Sequence, residues 1–366
     1  MKVLYIVPNI NNEGGVARVL SIKANYLVEK LGYEVHILTQ NEGFSPLFYS
    51  FNKNIVFHDM ILRGNFFQFF KAYRNALETK IKAVQPKIIV VCDNGLKAYS
   101  IPFILKKKVP LILEMHNSKF ITERESTNNI RTKAVALSLH FFKRIAIKKY
   151  DRFVVLTNES SAEWNIKNAI VIPNPLWFVS EKTSDLSSKK VIAVGRHTYE
   201  KGFDSMLQIW KKVVTKHPNW ILEIYGKPDG TVDLQSLAEN LNIAENVIFH
   251  QPVHDIMEQY LEASFAMMTS RFEAFGMVLI EAMACGLPVV AYDCPCGPRA
   301  IISTNQDGFL IKNDNQFDYV KAVENLIENA KMRKEMGEKA KKAAEKYNIY
   351  SIMQTWNHLF LEIKKN

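Results

Sequence analysis

The sequence has few cysteines, fewer acidic than basic residues, and no long apolar run. Only four cysteines occur in 366 residues, and Cys294 and Cys296 form the one closely spaced pair, so a disulfide-based small fold and a four-ligand cysteine zinc site are excluded. No stretch reaches the ~18 consecutive apolar residues of a membrane-spanning helix. One lysine and an apolar run broken by Pro8 do not match a signal peptide. We therefore expect reduced thiols and a cytoplasmic protein, with any membrane contact peripheral.

The charge balance is basic. Lysine and arginine number 47 against 37 aspartates and glutamates, a formal net charge of +10. Such an excess suits an anionic partner such as a nucleotide, a nucleic acid or an acidic membrane surface, although a merely basic protein stays open as an alternative. The hydrophobic fraction of 48% and the charged fraction of 23% are those of an ordinary globular protein, which excludes a largely disordered chain.

Short apolar strands alternate with amphipathic helices along most of the chain. Residues 2–7 and 34–39 are predicted strands, and the helix between them ends at Gly32. This alternation favours a parallel sheet in an α/β fold. Further strands are predicted at residues 87–92, 110–115, 153–156, 169–172, 191–194, 220–225, 246–250, 264–268, 288–292 and 308–311, and later helices at 203–216, 324–346 and 350–363.

A polar segment rich in proline and serine, residues 173–190, interrupts the alternation and is typical of a linker. We predict two Rossmann-like domains on either side of it. The N-terminal domain comprises residues 1–172 and 350–366, and the C-terminal domain comprises residues 191–349. Because ligands of open parallel sheets bind beyond the carboxyl ends of the strands, the predicted site is a cleft between the two facing sheets.

The densest group of candidate site residues lies in residues 270–286, SRFEAFGMVLIEAMACG. A helix is predicted to start near Gly276, which places Glu273 in the preceding loop and Glu281 in the second turn. Helix amino termini bind phosphate through unpaired N–H groups, and carboxylates accept hydrogen bonds from hydroxyls. The spacing therefore fits a nucleotide sugar, with two surface glutamates on an ordinary helix as the open alternative.

A second candidate segment follows the strand at residues 191–194. This segment, the cationic turn, begins with Gly195 and Arg196 and ends with Lys201 and Gly202. Two cations at the carboxyl end of a strand suit a diphosphate, since arginine offers paired donors and lysine a point charge. A solvated charged turn is the open alternative.

Two weaker signals lie nearer the amino terminus. Gly14 and Gly15 follow the first strand and would let the backbone approach a ligand. They do not form a G-x-G-x-x-G fingerprint and no acidic residue ends the second strand, which argues against a dinucleotide-dependent dehydrogenase. His116 ends the strand at residues 110–115, where an ordinary hydrogen-bonded loop histidine is the open alternative.

In order and spacing, these motifs resemble those of retaining glycosyltransferases of family 4, which have the GT-B fold of two Rossmann-like domains. Glu273 and Glu281 form an E-x7-E pattern that continues as EAMACGLPVVAYD. The glycine pair, His116, the cationic turn and the run IPNP before the linker agree. The resemblance implies transfer of a hexose or N-acetylhexosamine from a nucleotide-diphosphate sugar to an acceptor hydroxyl, with retention of configuration.

The same resemblance implies roles for individual residues. Glu273 would hold the donor sugar, Glu281 the ribose, and His116 would contact the transferred sugar near the reacting centre. Arg196 and Lys201 would stabilise the leaving diphosphate. Further contacts to the donor are implied for Gly14, Gly15, Gly195, Gly276, Met277 and Val278. No metal or other cofactor is implied, since two cations and a helix dipole can neutralise the diphosphate and the sequence has no D-x-D pair beside a strand.

Two departures from the family pattern bear on the donor. Thr198 stands where the family often has an acidic residue. Residues 293–299, DCPCGPR, resemble the loop of bacterial surface-polysaccharide members. We therefore favour a UDP-hexose or UDP-N-acetylhexosamine over GDP-mannose.

The stretch 101–150 is rich in basic residues, with eleven lysines and arginines against three glutamates. Apolar residues are interleaved with them, and four phenylalanines lie upstream within residues 66–70. This composition fits docking on anionic lipid at the inner face of the plasma membrane, with a lipid-linked sugar as acceptor. A helix with one core face and one solvated basic face is the open alternative.

Two other function classes share some of these features. A UDP-sugar 2-epimerase shares the architecture but needs acidic residues poised over C2, and no such set is evident. A non-enzymatic nucleic-acid-binding protein fits the basic charge, but the sequence has no zinc-finger, RNP-like or recognition-helix pattern. We therefore expect no nucleic acid among the partners.

Overall fold

The computed structural model describes residues 1–43, 45–63, 66–93, 95–105, 109–117 and 130–365. The chain divides into two compact units, Met1–Trp177 with Ile349–Asn366, and Phe178–Asn348. The chain first passes from one unit to the other between Trp177 and Phe178, inside the segment predicted as a linker.

The first unit contains a parallel sheet whose described strands are ordered β3-β2-β1-β4-β5-β6-β7. The strands are β1 (Lys2–Ile6), β2 (Glu34–Gln40), β3 (Val56–Met60), β4 (Ile88–Val91), β5 (Leu111–Glu114), β6 (Arg152–Val155) and β7 (Ala169–Val171). The helices are α1 (Gly15–Glu29), α2 (Phe66–Val84), α3 (Leu96–Ile104), α4 (Ile130–Lys148), α5 (Asn158–Trp164) and the C-terminal α13 (Ile349–Lys365).

Strand β1 shows why this sheet is buried on both faces. Val3 and Tyr5 pack in a core cluster with residues of α1 and α13. Leu4 and Ile6 pack in a second cluster with residues of α2, α3 and α4. Because successive side chains of a strand point to opposite faces, a continuous apolar run requires helices on both sides of the sheet.

The second unit repeats this topology with the order β10-β9-β8-β11-β12-β13, again all parallel among its described strands. The strands are β8 (Lys190–Val194), β9 (Ile221–Tyr225), β10 (Val247–His250), β11 (Phe265–Met268), β12 (Val289–Tyr292) and β13 (Gly308–Ile311). The helices are α6 (Phe203–Lys216), α7 (Leu234–Asn240), α8 (Met257–Glu262), α9 (Met277–Ala284), α10 (Pro298–Ile301), α11 (Gln316–Glu328) and α12 (Ala330–Ala344). The prediction of two Rossmann-like domains with parallel sheets is confirmed.

Two elements differ from the sequence prediction. Strand β3 was not predicted, because it is an edge strand of mixed sequence whose Val56 and Phe57 are 42% and 40% exposed. The single helix predicted at residues 324–346 is wrong, because two helices meet at Asn329. The Asn329 side chain accepts a hydrogen bond from the Met332 N–H and so caps the start of α12.

None of the described helices combines the length and the apolar character needed to cross a membrane.

Candidate functional site

The strand order of the second unit reverses between β8 and β11, which form its topological switch point. These two strands pair directly, and their connections lead to opposite sides of the sheet. A crevice forms beyond the carboxyl ends of parallel strands at such a point, and ligands bind there. The turn from Gly195 to Gly202 follows β8, and the loop at residues 269–276 follows β11. Both candidate motifs of this unit therefore lie at the switch point.

The cationic turn and the loop after β11 touch through their backbones. Gly202 caps α6 with a φ of +66°, and a Cβ there would lie 2.2 Å from the carbonyl oxygen of Thr269. The Thr269 hydroxyl donates a hydrogen bond of 2.9 Å to the Gly202 carbonyl. Only glycine combines this backbone conformation with so close an approach.

Arg271, which the sequence analysis did not single out, links the same two segments. Its guanidinium donates to both carboxylate oxygens of Asp204, at 2.9 and 2.7 Å, and to the Tyr199 carbonyl at 2.6 Å. It also lies 3.9 Å from the centre of the Tyr199 ring. Burial raises the pKa of Asp204, but the hydrogen bonds and charge of Arg271 outweigh burial and hold that pKa below its usual value.

Glu273 and Lys201, both predicted site residues, are in direct contact. Glu273 is buried, its Oε1 lies 2.5 Å from Lys201 Nζ, and the Ser270 hydroxyl donates to the same oxygen at 2.8 Å. The Glu273 backbone pairs with the DCPCGPR loop, residues 293–299, which follows β12. It donates to the Pro295 carbonyl at 2.9 Å and accepts from the Cys296 N–H at 2.7 Å. A ligand placed at this pair would meet a carboxylate and an ammonium together.

Helix α9 begins where the sequence predicts, with Gly276 as its cap at a φ of +98°. Met277 and Val278 form its first turn, where backbone N–H groups have no partner within the helix. Glu281 lies in the second turn, as predicted, and is buried. Tyr260, also buried, donates a long hydrogen bond of 3.4 Å to Glu281 Oε2. Sequence reasoning missed Tyr260, since 21 residues separate it from Glu281.

The remaining residues of the cationic turn differ in exposure. Arg196 is exposed, whereas the adjacent His197 is buried. The His197 ring packs edge-on against Phe203 and Phe249, and burial lowers its pKa. His197 therefore anchors the turn in the core of the unit and leaves the Arg196 side chain at the surface.

The first unit carries the other predicted site residues. Gly14 caps α1, its N–H bonds to Asn12 Oδ1 at 2.8 Å, and no atom lies within 4 Å of a Cβ added at Gly15. His116 follows β5. Since β1, β4 and β5 are neighbouring parallel strands, both glycines and His116 lie at the carboxyl edge of this sheet. That His116 contacts the transferred sugar stays a prediction.

A buried polar cluster lies beside His116. Glu114 Oε1 is 3.3 Å from His116 Nε2, and both Glu114 oxygens are 2.6 Å from Lys23 Nζ. Burial raises the pKa of Glu114, but the charges and hydrogen bonds of Lys23 and His116 outweigh burial and bring that pKa well below its usual value. Cys92, Glu114 and His116 have donor atoms within 4.8 Å of one another, as metal ligands do. The Lys23 ammonium, however, already contacts both carboxylate oxygens and would repel a cation.

Several known glycosyltransferases are similar to this chain in sequence. Residues 179–343 match the family described as glycosyl transferases group 1. An uncharacterized glycosyltransferase of Haemophilus influenzae is 29% identical, covering 97% of this chain and 98% of the relative. The amylovoran biosynthesis glycosyltransferase AmsD of Erwinia amylovora is 27% identical, covering 98% and 99%.

The fold of the chain is also similar to solved structures. A point mutant of S. aureus TarM, solved in complex with fondaparinux, alpha-GlcNAc-glycerol and UDP, has a TM-score of 0.76 at 16% identity and covers 98% of this chain and 99% of that one. The structural likeness shows the GT-B fold. The matched segment and the two relatives support glycosyltransferase activity.

Proposed function

We propose that this protein transfers a hexose or N-acetylhexosamine from a UDP-sugar to an acceptor hydroxyl in the synthesis of a surface polysaccharide. The observation that carries the proposal is the contact of Lys201 with the buried Glu273 at the switch point of the second unit. The similarity to AmsD supports the polysaccharide context, and the similarity to a protein solved with UDP supports the nucleotide.

In this proposal the donor lies across the start of α9. The backbone N–H groups of Met277 and Val278 and the positive end of the helix dipole face its phosphates. Glu281 binds the ribose hydroxyls, and Glu273 binds hydroxyls of the sugar. Lys201, which contacts Glu273, turns to the diphosphate as charge develops there, together with Arg196.

The transfer step needs only the donor, the acceptor and these side chains. The bond from the anomeric carbon to the diphosphate oxygen breaks, and a bond to the acceptor oxygen forms on the same face of the sugar. The acceptor proton passes to an oxygen of the leaving UDP. Lys201 and Arg196 stabilise the negative charge that grows on the diphosphate. The proposed reaction is retaining and uses no metal.

The stereochemical part of this proposal has its own test. A retaining reaction through two carboxylates would form a covalent glycosyl-enzyme. If mass spectrometry of the wild type or of Glu273→Gln detects such an adduct, the single-face reaction is refuted. A product of inverted configuration would refute retention.

A thermal-shift and activity assay tests the function itself. UDP and UDP-sugars at 100 times Kd should raise the free energy of unfolding by about 2.7 kcal/mol, whereas GDP should not. Lys201→Met should weaken this stabilisation and abolish transfer, and Lys339→Met, at an exposed position of α12, should leave both unchanged. Stabilisation by GDP alone would refute the nucleotide.

The two other function classes are distinguished by their products and ligands. Conversion of UDP-GlcNAc to an epimer in the absence of acceptor would favour the 2-epimerase. Salt-dependent oligonucleotide binding that competes with UDP would favour the nucleic-acid-binding protein.

We also propose that the first unit docks on an anionic membrane through α4. The α4 side chains of Val135, Leu137 and Phe141 are 65%, 70% and 67% exposed, and Lys148 and Lys149 are exposed at the end of the helix. Apolar side chains beside cations suit the boundary between acyl chains and anionic headgroups. A lipid-linked acceptor would be reached from this surface.

Part of the basic stretch behaves differently from the prediction. Lys143 is buried, with its ammonium 5.5 Å from the Tyr99 ring, so it does not belong to a solvated basic face. The lysines at 106–108, the cations at 119 and 124, and the side chains at 66–67, 131 and 133 lie outside the described residues. The proposed docking surface therefore consists of the described side chains of α4 from Val135 onward.

Vesicle co-sedimentation tests the docking surface. The protein should bind vesicles containing phosphatidylglycerol more strongly than pure phosphatidylcholine vesicles, and Phe141→Ser should weaken that binding. Phe317→Ser, at a position 74% exposed in the second unit, is the control and should have no effect. Equal binding to both vesicle types, or equal loss in both variants, contradicts the proposal.

A further inference from the structure

The first unit contains a charged pair in its interior. Lys23 on α1 and Glu114 at the end of β5 are each 1% exposed. Lys23 Nζ lies 2.6 Å from both oxygens of Glu114 and 3.6 Å from the centre of the Trp356 ring. Both charges are thus fully withdrawn from water and compensate each other.

Such a pair is a weak means of stabilising a fold, because the cost of removing two charges from water offsets their attraction. Apolar side chains of similar volume would fill the same space between α1, β5 and α13. The contacts of the pair indicate a different role. Glu114 Oε1 accepts a hydrogen bond from His116 Nε2 at 3.3 Å, and Cys92 Sγ donates to Oε2 at 3.3 Å.

The position of Glu114 in the chain suits it to orient His116. The two residues are separated by one position at the end of a strand, where alternate side chains lie on the same side of the sheet. The carboxylate in turn cannot rotate, because Lys23 bonds both of its oxygens. His116 is thereby connected to α1, the helix whose start carries Gly14 and Gly15.

We infer that Glu114, clamped by Lys23, is a positioning residue that holds the His116 imidazole in one orientation with its proton on Nε2. The inference rests on the proposed function, in which His116 contacts the transferred sugar. Glu114 itself does not touch the donor. It fixes the ring so that the other nitrogen is presented in a constant direction during transfer, as oriented imidazoles are in other active sites.

A double-mutant cycle tests this coupling. Glu114→Gln alone leaves the Lys23 ammonium buried without a counter-charge, so the variant used is Lys23→Met with Glu114→Gln. This paired variant should unfold cooperatively and bind UDP with unchanged Kd, since the contacts proposed for the ribose and for the leaving diphosphate are made by residues of the second unit. Its kcat should fall on the order of 100-fold, with little change in the KM for the donor, because a misoriented group acts on the chemical step.

The same paired change is then made in His116→Ala. If Glu114 acts only through His116, kcat should fall no further than in His116→Ala itself. Equal losses of kcat in both backgrounds, or no loss in the presence of His116, overturn the inference. A wild-type protein that transfers no sugar from any UDP-sugar fails the proposed function instead.

A spectroscopic measurement tests the inference without activity. The ring ¹⁵N signals of His116, assigned by their disappearance in His116→Gln, should show a single tautomer protonated on Nε2 in the wild type. The paired variant should show a mixture of tautomers. A tautomer mixture in the wild type, or an unchanged single tautomer in the paired variant, overturns the inference. The wild-type spectrum decides alone if the paired variant does not fold.

Discussion

Substitution of Gly202 should test most directly the close packing of the cationic turn against the loop at residues 269–276. Alanine at a φ of +66° carries a conformational cost of about 1–2 kcal/mol. Its Cβ would lie 2.2 Å from the Thr269 carbonyl oxygen, a backbone atom that can move only with its loop. Forcing such a contact in a packed interior adds about 1–3 kcal/mol. Gly202→Ala should therefore lower the free energy of unfolding by about 2–5 kcal/mol.

Gly230 provides a matched control in the same unit. It has a φ of +80°, and no atom lies within 4 Å of an added Cβ, so Gly230→Ala should show the conformational cost alone, about 1–2 kcal/mol. Urea unfolding measures both variants, and equal m-values would show that the same surface is exposed. Gly202→Ala should also weaken UDP binding, because it separates Lys201 from Glu273. Equal destabilisation of the two variants, or unchanged UDP affinity in Gly202→Ala, would refute the reasoning.

Three further predictions concern the second unit and the thiols. Arg271→Lys should lower the free energy of unfolding by about 1–2 kcal/mol in urea titrations, since it loses a bidentate contact made by a side chain only 19% exposed. Arg299→Lys also loses a bidentate contact, to Asp293, but its side chain is 48% exposed, so the loss should be less than about 1 kcal/mol. Equal losses would contradict the reasoning. The pKa of Asp204 is depressed in the folded state, so the stabilisation from its carboxylate is complete above the unfolded pKa and should be lost as the pH falls below about 4. The urea midpoint of Asp204→Asn should therefore vary less with pH over that range than the wild-type midpoint. Identical slopes of urea midpoint against pH in the two proteins would contradict this. The four cysteines are free and buried, and burial raises the pKa of Cys285 to about 12. The native protein should therefore react only slowly with a thiol reagent, whereas all four thiols should react in denaturant. Rapid labelling of the native protein would contradict this prediction.

The sequence predicts those parts of the fold that depend on local pattern. The βα alternation, the start of α9 at Gly276 and the place of Glu281 in its second turn follow from apolar periodicity and from glycines at the helix ends. The division of residues 316–344 into two helices depends on a side-chain cap at Asn329, which apolar and charged patterning does not indicate. Strand β3 depends on pairing with β2 more than on its own composition.

The contacts of the candidate site depend on strand order, which a single sequence does not specify. Lys201 and Glu273 are 72 residues apart and meet because β8 pairs with β11. Lys23 is 91 residues from Glu114, and in the sequence it resembles an ordinary surface lysine of an amphipathic helix. The spacing of Glu114, the last residue of β5, and His116, two positions later, was the signal that could have linked them.

The central claim is that a UDP-sugar diphosphate binds between the cationic turn and the start of α9. Hydrogen exchange of the full chain, measured with and without saturating UDP, tests it most directly. We predict that UDP slows exchange in residues 195–202 and 270–281 more than elsewhere in the second unit. Binding of UDP with protection confined to other segments would contradict the claim.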